Sequence, residues 1–302
     1  ANHFHGVKNA VRGVLRVAGL GHAVLGSKGM SAMAKGIHAL GAPLWTPAFP
    51  KAYNASRNIR TNGAEKELKV VYFPSCLNQA MGIDKSSKGL KPLAEEMTEL
   101  LQKAGYQVIM PERMDSLCCG TIWESKGMPD IAEKKVKELE EALFKASEGG
   151  RYPVVCDQSP CLHRMKANIS KVKLYEAAEF IWTFLKDRLT FTITDTPVAL
   201  HLTCSTRIMK LDKIVYDLAS LCSSEVFIPE GVGCCGFAGD KGMTHPELNK
   251  YALRKLGAQL AKKNIKVGYS NSRTCEIGLH TNSGIPYRSI VYLVNSCTSR
   301  RL

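Results

Sequence analysis

The sequence contains Cys-Cys-Gly twice, at 118–120 and again at 234–236, and single cysteines flank each pair at long distances. The positions involved are Cys76, Cys118, Cys119 and Cys161 in the first half and Cys204, Cys234, Cys235 and Cys275 in the second. Between 29 and 41 residues separate each single cysteine from its pair. This pattern predicts an internal repeat in which each half brings four thiols together.

The similarity between the halves extends beyond the cysteines. Lys-Gly-Met stands at 126–128, five residues after the first Cys-Cys-Gly, and again at 241–243, four residues after the second. A charged segment with helical periodicity follows each occurrence. Agreement at two separate motifs indicates a duplicated unit, so we expect two similar lobes.

Short apolar runs precede the cysteine positions, as expected for strands that are buried on both faces. We predict strands at 69–73, 107–110, 153–155, 198–202, 226–228 and 267–269. Helical segments such as 92–104 and 131–148 separate them, so the strands should be parallel. Because functional loops collect at the carboxyl ends of parallel strands, we expect the four thiols of each half to meet at that edge.

The predicted fold class is therefore α/β. It consists of two pseudo-repeated lobes with short parallel sheets flanked by helices, cysteine loops at the carboxyl ends of the strands, and an amino-terminal helical arm. We assign residues 66–192 to the first lobe, 193–302 to the second, and 1–65 to the arm and a linker at 61–66. The chain begins at Ala1 without an initiator Met, which we interpret as processing or excision from a longer polypeptide.

The arm carries most of the positive charge. Residues 1–60 contain eight Lys or Arg and no acidic residue, and they account for all but +6 of the net charge of +14. Helices are predicted at 7–26 and 30–40, with Lys8, Arg12 and Arg16 outside the apolar face of the first. That face comprises Val7, Val11, Val14, Leu15 and Ala18. We expect the arm to pack on the body, with contact to an anionic membrane surface as the alternative.

The cysteine content argues against a disulfide framework. Eleven cysteines in 302 residues is a low density and an odd number, and 45% apolar content allows a core that needs no covalent bridges. We therefore expect a reduced, cytoplasmic compartment, with peripheral contact on the inner face of the membrane through the arm. No segment approaches the roughly 20 apolar residues of a membrane-spanning helix. Nucleic-acid binding is not expected, because no reader motif accompanies the basic charge.

Four converging thiolates select zinc, cuprous copper or an iron-sulfur cluster. Structural zinc sites usually draw their ligands from closely spaced Cys-x-x-Cys knuckles, which this chain lacks at these positions. We therefore favour one or two 4Fe-4S clusters held by the eight cysteines, and a zinc-binding docking scaffold is the alternative.

The two cysteine sets resemble the duplicated cysteine-rich CCG domain found in heterodisulfide reductases, in glycolate oxidase iron-sulfur subunits, and in the carboxyl-terminal part of FAD-linked D-lactate dehydrogenases. The resemblance covers residues 66–302, and the closing segment 290–295 and the basic lead-in are most similar to the last group. In such enzymes a flavin domain oxidises a 2-hydroxy acid and electrons pass through iron-sulfur centres toward a quinone. The resemblance implies an electron-relay module, with FAD on a missing domain or a partner subunit.

The heterodisulfide reductase pattern ends each motif in Cys-x-x-Cys, and this chain departs from it. The positions three residues before and after the last cysteine of each motif hold Gln158, Arg164, Ser272 and Gly278. We therefore expect four-thiol sites instead of a five-thiol cluster, and thiol/disulfide reductase chemistry remains a further alternative.

The remaining three cysteines and His163 lie outside these sets. Cys156 aligns with Ser270 in the repeat and is expected to be a buried small residue, with accessory ligation as its alternative. His163 is expected to be an ordinary helix residue, with ligation as the alternative. Cys222 and Cys297 are expected to be core or surface thiols.

Overall fold

The computed structural model describes residues 4–59, 61 and 66–301, and it confirms the predicted α/β fold with two lobes and an amino-terminal helix. Residues 62–65 of the predicted linker lie outside the described residues. The arm contains α1 (Phe4–His38) and α2 (Ala55–Asn58). None of the helices in the described ranges is long and apolar enough to cross a bilayer.

The first lobe is built on a parallel sheet. Its strands are β1 (Lys69–Phe73), β2 (Gln107–Ile109), β3 (Val154–Cys156) and β4 (Leu174–Glu176), in the spatial order β2-β1-β3-β4. Its helices are α3 (Cys76–Ala80), α4 (Leu93–Lys103), α5 (Thr121–Glu124), α6 (Pro129–Ala146), α7 (Ser159–Asn168) and α8 (Ala177–Phe180). Strand β4 was not predicted, because its sequence Leu-Tyr-Glu ends in a charged residue and gives no clear apolar run.

The second lobe repeats this topology. After the short strand β5 (Leu189–Phe191) come β6 (Val198–Leu200), β7 (Val226–Phe227), β8 (Gly268–Ser270) and β9 (Tyr287–Ser289), and the last four form a parallel sheet in the order β7-β6-β8-β9. The helices are α9 (Cys204–Ile208), α10 (Asp212–Ser220), α11 (Lys241–Thr244), α12 (Pro246–Ala252), α13 (Leu256–Lys262), α14 (Arg273–Ser283) and α15 (Ile290–Ser296). In both sheets the second strand along the chain lies at one edge and the fourth at the other, which supports the predicted duplication.

The two lobes share one hydrophobic core. Alternation along β1 points Val70 and Tyr72 into this shared core and Val71 and Phe73 into a separate core under α6 and α7. Helix α4 of the first lobe packs on α15 of the second, and both helices bury their apolar faces completely in the shared core. The lobes are therefore held together by apolar burial as well as by polar contacts.

The last strand, β10 (Thr298–Arg300), returns to the connection between the lobes. It pairs with β5 in an antiparallel ribbon, with Ser299 opposite Thr190. The Lys103 ammonium of α4 donates to the Asn295 and Thr298 carbonyl oxygens at 2.7 and 3.0 Å. These contacts fasten the end of the chain to the first lobe.

Helix α1 packs through a face that overlaps the predicted apolar face only in part, at Leu15 and the partly buried Val11. It buries Phe4, Lys8, Arg12 and Leu15, whereas Val14 is 70% exposed. The apolar periodicity did not indicate that Lys8 and Arg12 are buried, because these basic residues have buried polar partners. A kink at Gly26, where φ is 64°, separates the two helical segments that were expected.

The carboxylate of Asp115 pairs with both Lys8 and Arg12 and stabilises their buried positions. It lies 2.8 Å from Arg12 and 3.4 Å from Lys8, and Ser56 also donates to it at 2.5 Å. Arg12 additionally donates to the Tyr53 carbonyl oxygen at 2.9 Å. Burial opposes ionisation of Asp115, but the hydrogen bonds from Ser56 and Arg12 outweigh it and lower its pKa to about 2.

We expect Asp115→Asn to destabilise the protein by about 2–3 kcal/mol, because it leaves Lys8 and Arg12 buried without their anion. The pKa of Asp115 is depressed, so its stabilisation is complete above the unfolded value near 3.8 and is lost as pH falls through about 2. Urea unfolding at neutral pH measures the loss. The control is Glu112→Gln, whose exposed pair with Lys145 should contribute little. Equal stability of the two variants would contradict this account of the arm.

Candidate functional site

Each lobe brings its four predicted thiols together at the carboxyl edge of its sheet. The first thiol row consists of Cys76, Cys118, Cys119 and Cys161, and the second thiol row consists of Cys204, Cys234, Cys235 and Cys275. All of these cysteines are free in the structure. Their roles as ligands remain a prediction, whereas their grouping follows from the fold.

The single cysteines lie in the first turns of helices that follow the strands. Cys76 begins α3 and Cys204 begins α9, and the preceding Ser75 and Thr203 cap those helices by accepting hydrogen bonds from backbone N–H groups. Cys161 and Cys275 are the third residues of α7 and α14. Positions in a first helical turn favour negative charge, because backbone N–H groups there lack helical partners.

The Cys-Cys-Gly loops have the same conformation in both lobes. Gly120 and Gly236 adopt φ values of 89° and 70°, and their N–H groups lie 3.4 and 3.3 Å from the sulfurs of Cys118 and Cys234. A Cβ atom on Gly120 would lie 2.6 Å from the carbonyl oxygen of Ala132. The glycines are therefore required by backbone conformation and by the close approach of the following helix.

A buried side chain fixes the second cysteine of each pair. Arg164 donates from Nε to the Cys119 carbonyl oxygen at 3.0 Å, and Asn249 donates from Nδ2 to the Cys235 carbonyl oxygen. Arg164 also forms an ion pair with Glu124. Neither positioning role was identified from the sequence: Arg164 was noted only as a departure from the Cys-x-x-Cys pattern, and Asn249 belongs to no motif described above.

In the first thiol row the hydrogen bonds converge on Cys119. Its sulfur accepts from the thiols of Cys118 and Cys161 and contacts the Thr121 hydroxyl at 3.2 Å. These contacts lower the pKa of Cys119, and they raise the pKa of Cys118 and of Cys161 together with burial. Cys118 also contacts Cys76, so the four sulfurs form a continuous row.

The second thiol row has the same order of contacts. Cys204 meets Cys234, Cys234 meets Cys235, and the sulfurs of Cys235 and Cys275 are 3.0 Å apart. The hydrogen bond from Cys234 favours the thiolate of Cys235, but contact with Cys275 and burial outweigh it and raise the pKa of Cys235. Its contact with Cys235 raises the pKa of Cys234.

The rows differ in exposure to solvent. Cys118 and Cys119 are only 1% and 3% exposed, whereas Cys204 and Cys234 are exposed residues. Part of the difference comes from α1, which packs on α3 beside the first row. Burial lowers the pKa of Lys8 to about 8, and attraction to Asp115 and Cys76 opposes that shift. Lys8 thus places a positive charge near the first row.

The residues at the positions that depart from the five-thiol pattern make structural contacts. Gln158 and Ser272 meet across the lobe interface, with Nε2 donating to Oγ at 3.0 Å, and the Arg273 N–H donates to Gln158 Oε1 at 2.9 Å. A Cβ on Gly278 would lie 2.5 Å from Asn249 Nδ2. Arg164 holds the Cys119 loop, as described above. None of these positions offers a fifth thiol beside the row of its lobe.

Cys156 and His163 lie outside the rows. Cys156 is the last residue of β3 and is fully buried, and burial raises its pKa. His163 is partly exposed on α7, and no described hydrogen bond joins it to a cysteine. Across residues 4–59, 61 and 66–301, no three His, Cys, Asp or Glu side chains are arranged around a single point as ligands of one metal ion.

The chemistry of the rows fits an iron-sulfur cluster. Four sulfur donors per lobe match the Cys₄ ligand set of such clusters. Backbone N–H groups beside Cys118 and Cys234 and the positive ends of α7 and α14 can offset the negative charge of thiolate-bound iron. Zinc takes the same type of sulfur donor, but among the described residues no three of these sulfurs surround one point as a single zinc ion requires.

The loop glycines should be needed for the site because of their contacts and not only because of their φ angles. Gly127 and Gly239 have φ values of 73° and 74°, and no atom lies within 4 Å of where their Cβ would stand, so they are matched controls for Gly120 and Gly236. We expect alanine at either control position to cost about 1 kcal/mol and alanine at either loop position to cost about 3 kcal/mol or more. Thermal unfolding measures both, and equal losses would contradict the contact argument.

Comparisons with known proteins agree with the duplication. A family model described as "CCG: Cysteine-rich domain" matches residues 70–166 and 198–280, which together span more than half the chain. No curated protein matches the chain. Solved structures with some similarity include Picrophilus torridus aspartate racemase, at 9% identity and a TM-score of 0.33 over 78% of this chain and 95% of that one. Another is allantoin racemase from Pseudomonas fluorescens, at 10% identity and a TM-score of 0.26 over 76% and 87%.

Proposed function

Because the chain belongs to the family of CCG cysteine-rich domains, we propose that it is the iron-sulfur electron-transfer module of a flavin-dependent 2-hydroxy-acid dehydrogenase of the D-lactate or glycolate type. Membership in this family and the abundance of thiols are consistent with binding a metal or an iron-sulfur cluster. The dehydrogenase partner and the quinone as electron acceptor are the finer parts of the proposal.

The observation that carries the proposal is the pair of thiol rows. Each row assembles four sulfurs from loops far apart in the sequence, within lobes that already have apolar cores. A local metal staple is therefore unnecessary for folding, which favours a redox role over a structural one. The ligands would be Cys76, Cys118, Cys119 and Cys161 in one lobe and Cys204, Cys234, Cys235 and Cys275 in the other. When bound, a cluster supplies a one-electron carrier.

The unequal burial of the rows supports different positions for them in the proposed relay. Cys204 and Cys234 are exposed, so the second row is the side at which a soluble donor or acceptor approaches. The first row lies under α1 with Lys8 beside it and is the more protected site. Exposure and nearby charge are among the features that set the reduction potentials of such centres.

Electron transfer can be tested with simple partners. Anaerobically purified protein is mixed with reduced free flavin and then with a short-chain quinone, and its visible absorption is followed. We expect bleaching on reduction and recovery with the quinone. The Cys235→Ser variant should lose most of the fast phase, because the exposed row is the contact side. A coloured protein that neither partner affects would contradict the relay role.

The outer face of α1 supports a further part of the proposal, which is contact with an anionic membrane surface. Val14, Val17, Leu20 and Val24 are 68–83% exposed, and the exposed Arg16 lies in the same helix. No acidic residue occurs in residues 1–60, so the face combines apolar side chains with positive charge alone. Amphipathic helices of this type bind the interface of anionic bilayers.

Flotation with vesicles containing phosphatidylglycerol tests this contact. We expect replacement of Val17, Leu20 and Val24 together by serine to weaken binding on the order of tenfold, with a dependence on salt in the parent protein. The control replaces Ile193 and Ile208, which are exposed elsewhere, by serine. Binding that is equal for neutral and anionic vesicles, or equally weakened by the control, would exclude this role.

A further inference from the structure

The two cysteines outside the rows lie beside each other. Cys222 follows α10 and is fully buried, and Cys297 follows α15 and is partly exposed. Their thiols are hydrogen-bonded to each other, and the Cys297 sulfur lies 3.6 Å from the Cys222 carbonyl oxygen. In the described part of the chain, no hydrogen bond joins either of them to a thiol row. They form a separate dithiol.

Both cysteines are held by the same short segment between the lobes. The Cys222 carbonyl oxygen accepts from the Thr194 N–H at 2.9 Å, and the Cys297 carbonyl oxygen accepts from the Thr192 N–H at 2.8 Å. Because the backbones of Cys222 and Cys297 are both hydrogen-bonded to the segment 192–194, the two thiols stay adjacent. A disulfide requires such proximity, since distant cysteines cannot be joined without backbone movement.

We propose that Cys222 and Cys297 are an oxidation site that forms an intramolecular disulfide with peroxide. The Cys297 thiolate attacks one peroxide oxygen, which gives a sulfenic acid and releases water after protonation. The Cys222 sulfur then displaces the hydroxyl from Cys297, which forms the S–S bond and a second water. Two thiols and one peroxide thus become one disulfide and two waters.

The two thiols are suited to different steps. Cys297 is partly exposed, so peroxide can reach it, and the hydrogen bond from Cys222 lowers the pKa of Cys297. The same contact and burial raise the pKa of Cys222, which keeps it protonated and protected until the sulfenic acid forms beside it. This is the arrangement of an attacking and a resolving cysteine.

The Cys222–Cys297 disulfide would restrain the carboxyl-terminal strand β10. Residues 222 and 297 are 75 positions apart, and Cys297 directly precedes β10. Strand β10 pairs only with β5 among the described strands. A disulfide would therefore join α10 of the second lobe to the ribbon that closes the lobe connection, and it would restrict opening of that end of the molecule.

Peptide mapping of the full chain tests the site. Anaerobically purified protein is treated with a small excess of hydrogen peroxide, blocked with N-ethylmaleimide, and digested with trypsin and the glutamate-specific protease. Peptides 214–225 and 289–300 each contain one cysteine, Cys222 and Cys297 respectively. We expect them to be recovered as one linked species lacking two hydrogen atoms. Recovery of both as maleimide adducts, or of Cys297 linked to a row cysteine, would overturn the proposal.

Thermal unfolding gives a second readout. Oxidised protein should unfold roughly 4–8 °C above the reduced protein. The shift should disappear in Cys297→Ser and persist in Cys156→Ser, which removes a buried thiol outside the dithiol. A temperature shift of the same size in Cys297→Ser would also overturn the proposed disulfide. Because peptide mapping uses the parent protein, it tests for the Cys222–Cys297 disulfide even if a variant folds poorly.

Discussion

The Cys119→Ser variant is expected to lose the cluster of the first lobe and to retain that of the second. Cys119 is the sulfur on which the hydrogen bonds of the first row converge, and serine is a poor ligand for iron where a thiolate is required. With one cluster in each lobe, iron and acid-labile sulfide should fall to about half of the parent values. Cys235→Ser should give the complementary loss in the second lobe.

The two variants also allow the solvent accessibility of the two proposed clusters to be compared. The cluster that remains in Cys119→Ser is held by the exposed row, so an iron chelator should remove it faster than the cluster that remains in Cys235→Ser. Cys156→Ser is the matched control, because it makes the same exchange at a fully buried cysteine outside both rows. Full iron content in Cys119→Ser, or a loss in Cys156→Ser as large as in the row variants, would contradict the ligand assignment.

Replacement of Arg273 should produce the largest loss of stability at the lobe interface. Its guanidinium lies 3.0 Å from Glu276 and donates to Asn78 of the first lobe at 3.0 Å, and both charged residues are buried. Arg273→Met leaves the Glu276 carboxylate buried without its cation. We expect a loss of about 3–5 kcal/mol in the free energy of unfolding. Lys213→Met, which breaks an exposed pair with Asp217, should lose under about 1 kcal/mol.

The loss of unfolding free energy in Arg273→Met should depend on pH. Burial raises the pKa of Glu276 to about 7 despite the attraction of Arg273. A carboxyl whose folded pKa lies above its unfolded value near 4.5 loses stabilisation as pH rises through that window. Without Arg273 the ionised form is less favourable still, so the defect should be larger at pH 8 than at pH 5.5. The double variant Arg273→Met with Glu276→Leu should recover most of the stability. A defect that does not change with pH would contradict this role for the pair.

Much of the fold was predictable because its signals are local. The apolar run at 69–73 corresponds to β1 with the same bounds, and the spacing of the cysteines predicted two lobes whose thiols group at sheet edges. The resemblance to the CCG domain is confirmed by the family match, whereas association with a flavin dehydrogenase remains a proposal. The left-handed backbone at Gly120 and Gly236 is likewise explained by the glycine of the motif itself.

Other features depend on contacts between distant residues. Asp115 pairs with Lys8 and Arg12 of α1 and lies about a hundred positions from them, so the apolar face of the isolated helix could not show that these two cations would be buried. Arg164 and Asn249 hold the cysteine loops only after α7 and α12 have packed. The cross-lobe bond between Gln158 and Ser272 likewise requires both lobes in place. No pattern in one segment can reveal partners that tertiary packing selects.

The most direct test of the central claim is the iron, acid-labile sulfide and zinc content of the anaerobically purified chain, with its absorption spectrum before and after dithionite. We predict about four to eight irons per chain with an equal amount of sulfide and bleaching on reduction, which corresponds to one or two clusters. Zinc without sulfide, or a protein that binds neither metal after anaerobic reconstitution, would contradict the proposal that the thiol rows carry electrons through iron-sulfur clusters.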